Sequence, residues 1–423
     1  MLPVFVAAMA GASALGVIAK ASTTTQVVSG TSNLYRVACS GATTCEAVGA
    51  NYSNQGVVVT ITNGTPGTAH VVSGAEILEG VGCSSATTCE AVGTNSSNQG
   101  VVVTITNGTP GTAQVVSGTI VLFGVACSSA TTCEAAGTNS AVSPQGVVVT
   151  ITSGTPGTAQ VVSSTGWLSG VTCLSATTCE TVGGGPSGGE VVTITSGIPG
   201  IAQEVGSGTE LNDVACTSAT SCEAVGTTEP LATGQGLVVP ITDGTPGSAQ
   251  VVSHTRYGGG VACPSAATCE VVGWNSSKQA VVATVTDGTL GSAQVISAGQ
   301  LSGVACPTAT TCEAVGKNSS NQGVLVPITS ISVTAPTVGT SWARGSSHSI
   351  TWSSVGSFGA HVNIQLFKAG KLVKTIAKTV LTSAGTYTWN IGATLASATT
   401  CQIKILSTTK SSIFGISGYF SIT

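Results

Sequence analysis

The chain is 423 residues long, carries a formal net charge of −4 and is only 7% charged, against about 25% for an average globular protein. Its length admits more than one domain, and the scarcity of basic side chains argues against nucleic-acid binding. Polarity comes instead from Thr, Ser and Asn, and with 56 Gly and 14 Pro the sequence reads as short Val- and Thr-rich runs between turns, an all-β signature.

The first element, Leu2 to Ala19, is uncharged and apolar and is the one helix expected. Ala19-Lys20-Ala21 follows the small-x-small pattern of a signal-peptidase site, which favours export with cleavage and a mature chain beginning near Ser22. No Lys or Arg precedes the run, so residues 1–21 are alternatively a retained membrane anchor or an apolar helix packed in an assembly.

Repeats fill residues 22–330. Cysteine pairs fall at Cys39/Cys45, Cys83/Cys89, Cys127/Cys133, Cys173/Cys179, Cys216/Cys222, Cys263/Cys269 and Cys306/Cys312. A period in the mid-forties suits a four-stranded propeller blade, and the unit around Cys127 divides into four runs: Leu122 to Cys127, Cys133 to Gly137, Gly146 to Thr152 and Ala159 to Ser163. The seventh unit stops after "GVLVPITS", without the fourth run that the others write as "AQVVS" or a near variant, while "TQVVS" at residues 25–29 precedes the first unit. A closed ring explains that split, because the N-terminal strand then completes the last unit. The expected fold is therefore a seven-bladed β-propeller followed by a smaller domain.

Each cysteine pair sits at the base of one hairpin, within disulfide reach. Zinc would need four ligands per site, and the repeats are nearly free of His. A redox site would favour C-x-x-C. Seven intra-blade disulfides, each worth roughly 2 kcal/mol in the chain-entropy model, place the protein in an oxidising, extracytoplasmic compartment. A glutamate follows every second cysteine (Glu46, Glu90, Glu134, Glu180, Glu223, Glu270 and Glu313). Its expected role is structural, accepting backbone hydrogen bonds at a blade junction, since the ligand spacing of a calcium loop is missing; no metal and no cofactor are expected.

The pattern L-x-x-V-x-C-x5-C-x-A-V-G followed by a Val/Thr strand resembles secreted bacterial propellers related to the photosystem II assembly-factor and sialidase-type groups. "TDGTPGSA" at Thr242 to Ala249 and "TDGTLGSA" at Thr286 to Ala293 resemble a worn Asp-box, which in those families lies between the third and fourth strands. The resemblance implies the fold and not the activity: the sialidase Arg triad and Tyr cannot be assembled from a repeat region holding only Arg36 and Arg256.

The segments preceding the first cysteines differ most among the units: "NLYR", "EILE", "IVLF", "GWLS", "ELND", "RYGG" and "GQLS". If the propeller holds a ligand, a glycan or a peptide, the candidates are Tyr35, Arg36, Glu79, Phe123, Trp167, Asn212, Asp213, Arg256, Tyr257 and Trp274. Drift of unconstrained loops is the competing reading. Sequons at Asn51, Asn63, Asn95, Asn107, Asn275 and Asn318 suit a glycosylated surface protein, although repetition alone would copy a turn motif.

From Ile331 the character changes. "VTAPTVGTSWARGSSHSITWSS", "GTYTWNI" and the closing "GYFSIT" resemble the Ig-like module of Ser/Thr-rich surface proteins and of the yeast cell-wall glucan-assembly family, and run count and spacing fit a β-sandwich over 331–423. Cys401, the odd cysteine, is expected as a buried free thiol rather than an interchain link. All sixteen acidic residues lie at or before Glu313, and the repeats hold four basic ones, a formal −12; from Ile331 onward there are seven basic and no acidic residues, +7. Such polarity could draw the basic domain onto anionic wall polymer or lipid, or onto the acidic propeller of another copy; a solvated face is the plain alternative.

No nucleophile elbow, metal-binding His pair or phosphate loop appears, so the expectation is a non-catalytic protein, secreted or at the cell surface. Two classes remain. One is a recognition or adhesion module whose partner is an envelope polymer, glycan or surface protein, the Ig-like domain docking on the envelope. The other is a self-assembling structural subunit of a filament or layer with the N-terminal apolar helix in its core.

Overall fold

A computed structural model describes residues 19–20, 25–230, 233–253, 255–286, 288–291, 293–296, 299–356, 358–411 and 413–423. Most of the helix expected over Leu2 to Ala19 lies outside them. Its last residue is extended rather than helical, Ala19–Lys20 pairing in parallel with Gln294 and Val295. Among the described residues the structure is otherwise all-β, with a single 3-10 turn at Thr382–Ala384.

Seven repeated antiparallel sheets come first. In unit two the strands are Ile77–Cys83, Thr88–Thr94, Gly100–Thr106 and Gln114–Val115, with the two-residue return Thr109–Pro110 folding back on the third. The second and third strands are buried on both faces because a neighbouring sheet covers each side, so they read as near-continuous apolar runs, "CEAVG" and "GVVV". The fourth strand is two residues long and leaves Val115 half exposed. An outer edge so short offers little template for another chain.

Unit seven takes its fourth strand from the N-terminal side of the repeats. Gln26–Val27 lies antiparallel on Gly323–Ile328, Gln26 opposite Leu325 and Val27 opposite Val324, in the register that Gln114 and Val115 keep on Val102 and Val101. First strands of successive units are neighbours throughout, and that of unit seven packs against that of unit one. The sheets therefore form a closed circuit.

The C-terminal domain begins with Ser330–Ala335. That strand, Ser347–Val355 and Thr386–Asn390 form one sheet. The other has the order Ser341–Trp342, Phe420–Ile422, Ala398–Ser407, His361–Lys368 and Lys371–Leu381. Trp342, Trp352, Trp389 and Phe420 fill the space between them, with Cys401 buried as a free thiol.

Candidate functional site

All seven disulfides form within their own hairpins: Cys39–Cys45, Cys83–Cys89, Cys127–Cys133, Cys173–Cys179, Cys216–Cys222, Cys263–Cys269 and Cys306–Cys312. In five units the two cysteines are directly opposite in register, as Cys127 and Cys133 are. Because the staple closes a short loop between adjacent strands, it fixes each hairpin without a covalent link to the next unit.

The staples sit at the hairpin bases, as the spacing implies, and they belong to the core. The second cysteine of every pair is buried: Cys45, Cys89, Cys133, Cys179, Cys222, Cys269 and Cys312. Each packs in the apolar cluster that its unit shares with the preceding one, among side chains such as Val59 and Ile61 for Cys45, Val103 and Ile105 for Cys89, and Val239 and Ile241 for Cys222. Cys269 lies with Val271 and Val285, and Cys312 with Val326 and Ile328. The first cysteines are partly buried against the same clusters. The second strand is covered on both faces, so its opening cysteine enters the core with it, and no ligand-holding role falls to these residues.

The glutamates correct an expectation. They accept from hydroxyls across the strand pair rather than from backbone groups: Thr60 Oγ1 donates to Glu46 Oε2 at 2.9 Å, and Thr104, Thr150, Thr193 and Thr284 do the same for Glu90, Glu134, Glu180 and Glu270. In units five and seven the facing residue is Pro240 or Pro327, which has no hydroxyl. Glu223 Oε2 and Glu313 Oε2 are then buried without a partner, and burial pushes both carboxyls up to about 7.

Each carboxyl also backs onto the next unit. The turn glycines Gly108, Gly154, Gly197 and Gly244, all at positive φ, lie against Glu46, Glu90, Glu134 and Glu180, and Gly64 closes the circuit against Glu313. Glutamines of the fourth strands reinforce these joints: Gln26, Gln114, Gln160 and Gln250 donate to the turn carbonyls of Gly64, Gly154, Gly197 and Gly288 at 2.6–2.8 Å. Unit seven lacks that turn, and the C-terminal domain occupies its place. Gln294 donates to Phe414 O at 3.2 Å, and Ser330 Oγ donates to Glu270 Oε1 at 2.8 Å. Glu270 is thereby fully buried, and desolvation lifts it to about 7 against the opposing pull of Ser330 and Thr284.

The centre of the circuit is built from a repeated backbone feature. Register slips by one residue in every first strand, at Tyr35, Glu79, Phe123, Ser169, Asn212, Gly259 and Ser302, a β-bulge that bends the strand and re-aims its carbonyl. The next residue is glycine in five units. Gly124 and Gly80, for instance, lie against the backbones of Ser169 and Phe123, with no room for a Cβ.

The two exceptions are Arg36 and Asp213, and they meet. Arg36 Nη2 is 3.9 Å from Asp213 Oδ1. Its guanidinium also donates to four bulge carbonyls: Nη1 to Ser302 O at 2.6 Å, Gly259 O at 3.2 Å and Tyr35 O at 3.5 Å, and Nη2 to Asn212 O at 3.0 Å. Asp213 Oδ2 accepts from Val261 N at 3.1 Å. Burial raises the Asp213 carboxyl, while Arg36 and the N–H groups of Val261 and Val214 pull it back. A planar cation with five donors suits a crown of carbonyls, so this arginine ties units one, five, six and seven together.

Seven of the ten candidate ligand residues converge here. Tyr35, Arg36, Asn212 and Asp213 are in contact. Burial raises Glu79, and the Arg36 charge opposes that rise. Burial likewise raises the Tyr257 hydroxyl, with Arg36 acting in opposition and Glu210, Glu79 and Asp213 reinforcing it. Tyr257 stacks on Trp274, ring centroids 4.1 Å apart. Of the other three, Phe123 is the bulge of unit three, the Trp167 indole lies against Gly184, and Arg256 donates its backbone N–H to Trp274 O at 2.8 Å. The bulge carbonyls and the glycine position are not evident from side-chain pattern, although aligning the seven units on Leu34, Leu78, Leu122, Leu168, Leu211, Gly258 and Leu301 exposes Arg36 and Asp213 as the odd residues.

Four of the six sequons have a structural use. Asn51 Oδ1 accepts from the N–H groups of Ser53 and Gln55, and its Nδ2 donates to Gln55 Oε1; Asn95, Asn275 and Asn318 repeat the arrangement. Asn63 and Asn107 occupy left-handed positions in Asn-Gly turns, with φ of 51° and 50°. Among the described residues no group of three or more His, Cys, Asp or Glu is placed to hold a metal ion.

The formal −12 of the repeats overstates their exposed negative charge. Glu46, Glu90, Glu134, Glu180, Glu190, Glu223 and Glu270 are all buried, so much of the acidity lies inside the joints.

Comparison with known proteins bears on the C-terminal domain. Residues 335–422 match the family described as Kre9/KNH-like N-terminal Ig-like domain, so that domain is similar to an Ig-like module. No curated protein matches the chain.

Proposed function

We propose that the protein is a non-catalytic extracellular recognition module, its seven sheets forming a seven-bladed β-propeller and its Ig-like domain serving to dock it on a cell envelope. Seven disulfides support the extracytoplasmic setting, because such staples persist in oxidising compartments. One observation carries the recognition reading: the stacked, half-buried Tyr257 and Trp274 stand beside the Arg36–Asp213 group. Arg36 spends its donors on carbonyls within the protein, so the charged pair supports the site and the aromatic faces are left to meet a ligand. Flat aromatic surface with a polar tip suits an envelope glycan, whose sugars present apolar faces rimmed by hydroxyls.

The test is retention of the intact protein by purified envelope polysaccharide. Trp274→Ala is expected to lower affinity at least about tenfold, the loss of roughly 1.4 kcal/mol, with an unchanged melting temperature. Equal retention of the wild type and the variant would sink the reading.

A further inference from the structure

We infer that the edge strand Lys371–Leu381 of the Ig-like domain is a docking surface for an anionic lipid bilayer. The inference rests on the reading above, that the protein works at an envelope, and names the surface and chemistry by which it is held there. The strand ends its sheet, paired only to His361–Lys368. It exposes Lys371, Lys374 and Lys378 together with Leu372, Val373 and Leu381, the last three 53%, 46% and 55% exposed.

No acidic residue occurs from Ile331 to the end, so nothing in this domain offsets the three ammonium groups. Among the described residues, hydrogen bonds between the domain and the propeller involve Ser330, Ser332, Gly356 and Phe414, and Val355 packs in the core of unit seven; none of these residues is on this strand. Two other basic side chains of the same sheet are engaged elsewhere: Lys404 lies over the Phe414 ring at 3.6 Å, and Lys368 donates to Ala396 O.

The bulged edge and its mixture of side chains select the occupant. Register shifts interrupt the pairing on His361–Lys368, and Thr379 sits at φ 51° with its N–H on Asn363 Oδ1. A bulged, lysine-bearing edge resists adding a strand from a second copy. A soluble polyanion would use the lysines and leave Leu372, Val373 and Leu381 in water. A bilayer with anionic headgroups uses both kinds of side chain, the ammonium groups at the phosphates and the aliphatic ones at the acyl boundary.

The experiment is co-sedimentation of the full chain with vesicles rich in phosphatidylglycerol and with vesicles of phosphatidylcholine alone. Binding to the anionic vesicles only is expected, weakening as salt is raised. The triple variant Lys371→Glu, Lys374→Glu, Lys378→Glu is expected to lower it at least about tenfold. Leu372→Ser with Val373→Ser, which keeps the charge, is expected to lower it roughly three- to tenfold. All five positions are exposed, so thermal melting checks that the variants fold.

Equal binding to the two vesicle types, or no binding, overturns the inference, as does an unchanged lysine variant. An unchanged Leu372/Val373 variant overturns it in favour of charge alone, the behaviour of a wall polyanion. These outcomes are separable from polysaccharide retention: if vesicle binding fails while Trp274-dependent retention persists, only the docking surface falls.

Discussion

At the residue scale, Arg36 and Asp213 show how one departure from a repeat becomes a tie between units. Five units place glycine after the bulge because backbone crosses there; two place opposite charges, and those meet at 3.9 Å. Removing the guanidinium leaves four carbonyls short of a donor and Asp213 without its counter-charge. Arg36→Ala is therefore expected to destabilise the protein by about 2–3 kcal/mol, within the range for breaking a partly buried pair, and denaturant unfolding measures it. A loss below about 0.5 kcal/mol, typical of a surface substitution, would show that the crown carries no stability. Both residues were legible as unusual side chains in variable segments. Their mutual role was not, because it depends on carbonyls that a bulge turns inward, and no side-chain pattern reports where a carbonyl points.

At the element scale, the repeated unit is a stapled hairpin plus a joint, the buried glutamate with its threonine against the next unit's turn. Joints without the threonine, or covered by the Ig-like domain, have carboxyls at about 7, as does Glu190, raised by burial and then by Glu204. An unfolded glutamate titrates near 4.5, so between those values the folded state holds protons that the unfolded state has lost. Stability is then fully present below about pH 4.5 and declines as pH rises through 7. The melting temperature is expected to be several degrees higher at pH 5 than at pH 8, the reverse of the usual loss on acidification. Pro327→Thr places a hydroxyl opposite Glu313 in the register of Thr60 and Glu46. It is expected to lower that carboxyl and flatten the profile, and a melting temperature flat or falling from pH 8 to 5 in the wild type would contradict the argument. Cysteine spacing made the hairpins and staples legible, since the two residues of a pair are close in sequence and in space. Burial of Cys45 and its six counterparts was not legible, because it depends on the neighbouring sheets that cover the second strand. The glutamate's partner was harder to read for a similar reason, the threonine being thirteen to sixteen positions away in another strand.

At the scale of the whole molecule, two substitutions of one element for another hold the chain together. Gln26–Val27 replaces the missing fourth strand of unit seven, and Ser330 and Phe414 replace its missing turn. The first was legible because "TQVVS" repeats a motif found in the other units. The second was not, because the Ig-like sequence bears no likeness to the "NGTPGT" turn and supplies only a hydroxyl and a carbonyl at the right places. Charge segregation was visible too, yet half its apparent meaning disappears once the acidic side chains are found inside the joints. On the proposed reading, one face of the closed circuit, around Tyr257 and Trp274, holds the ligand. Hydrogen–deuterium exchange of the intact chain with and without solubilised envelope polysaccharide tests this most directly. Protection confined to the bulge segments near Tyr35, Glu79 and Asn212 and to the strands carrying Tyr257 and Trp274 is the predicted result. Protection confined to the disulfide hairpins, or none at a saturating concentration, would contradict it.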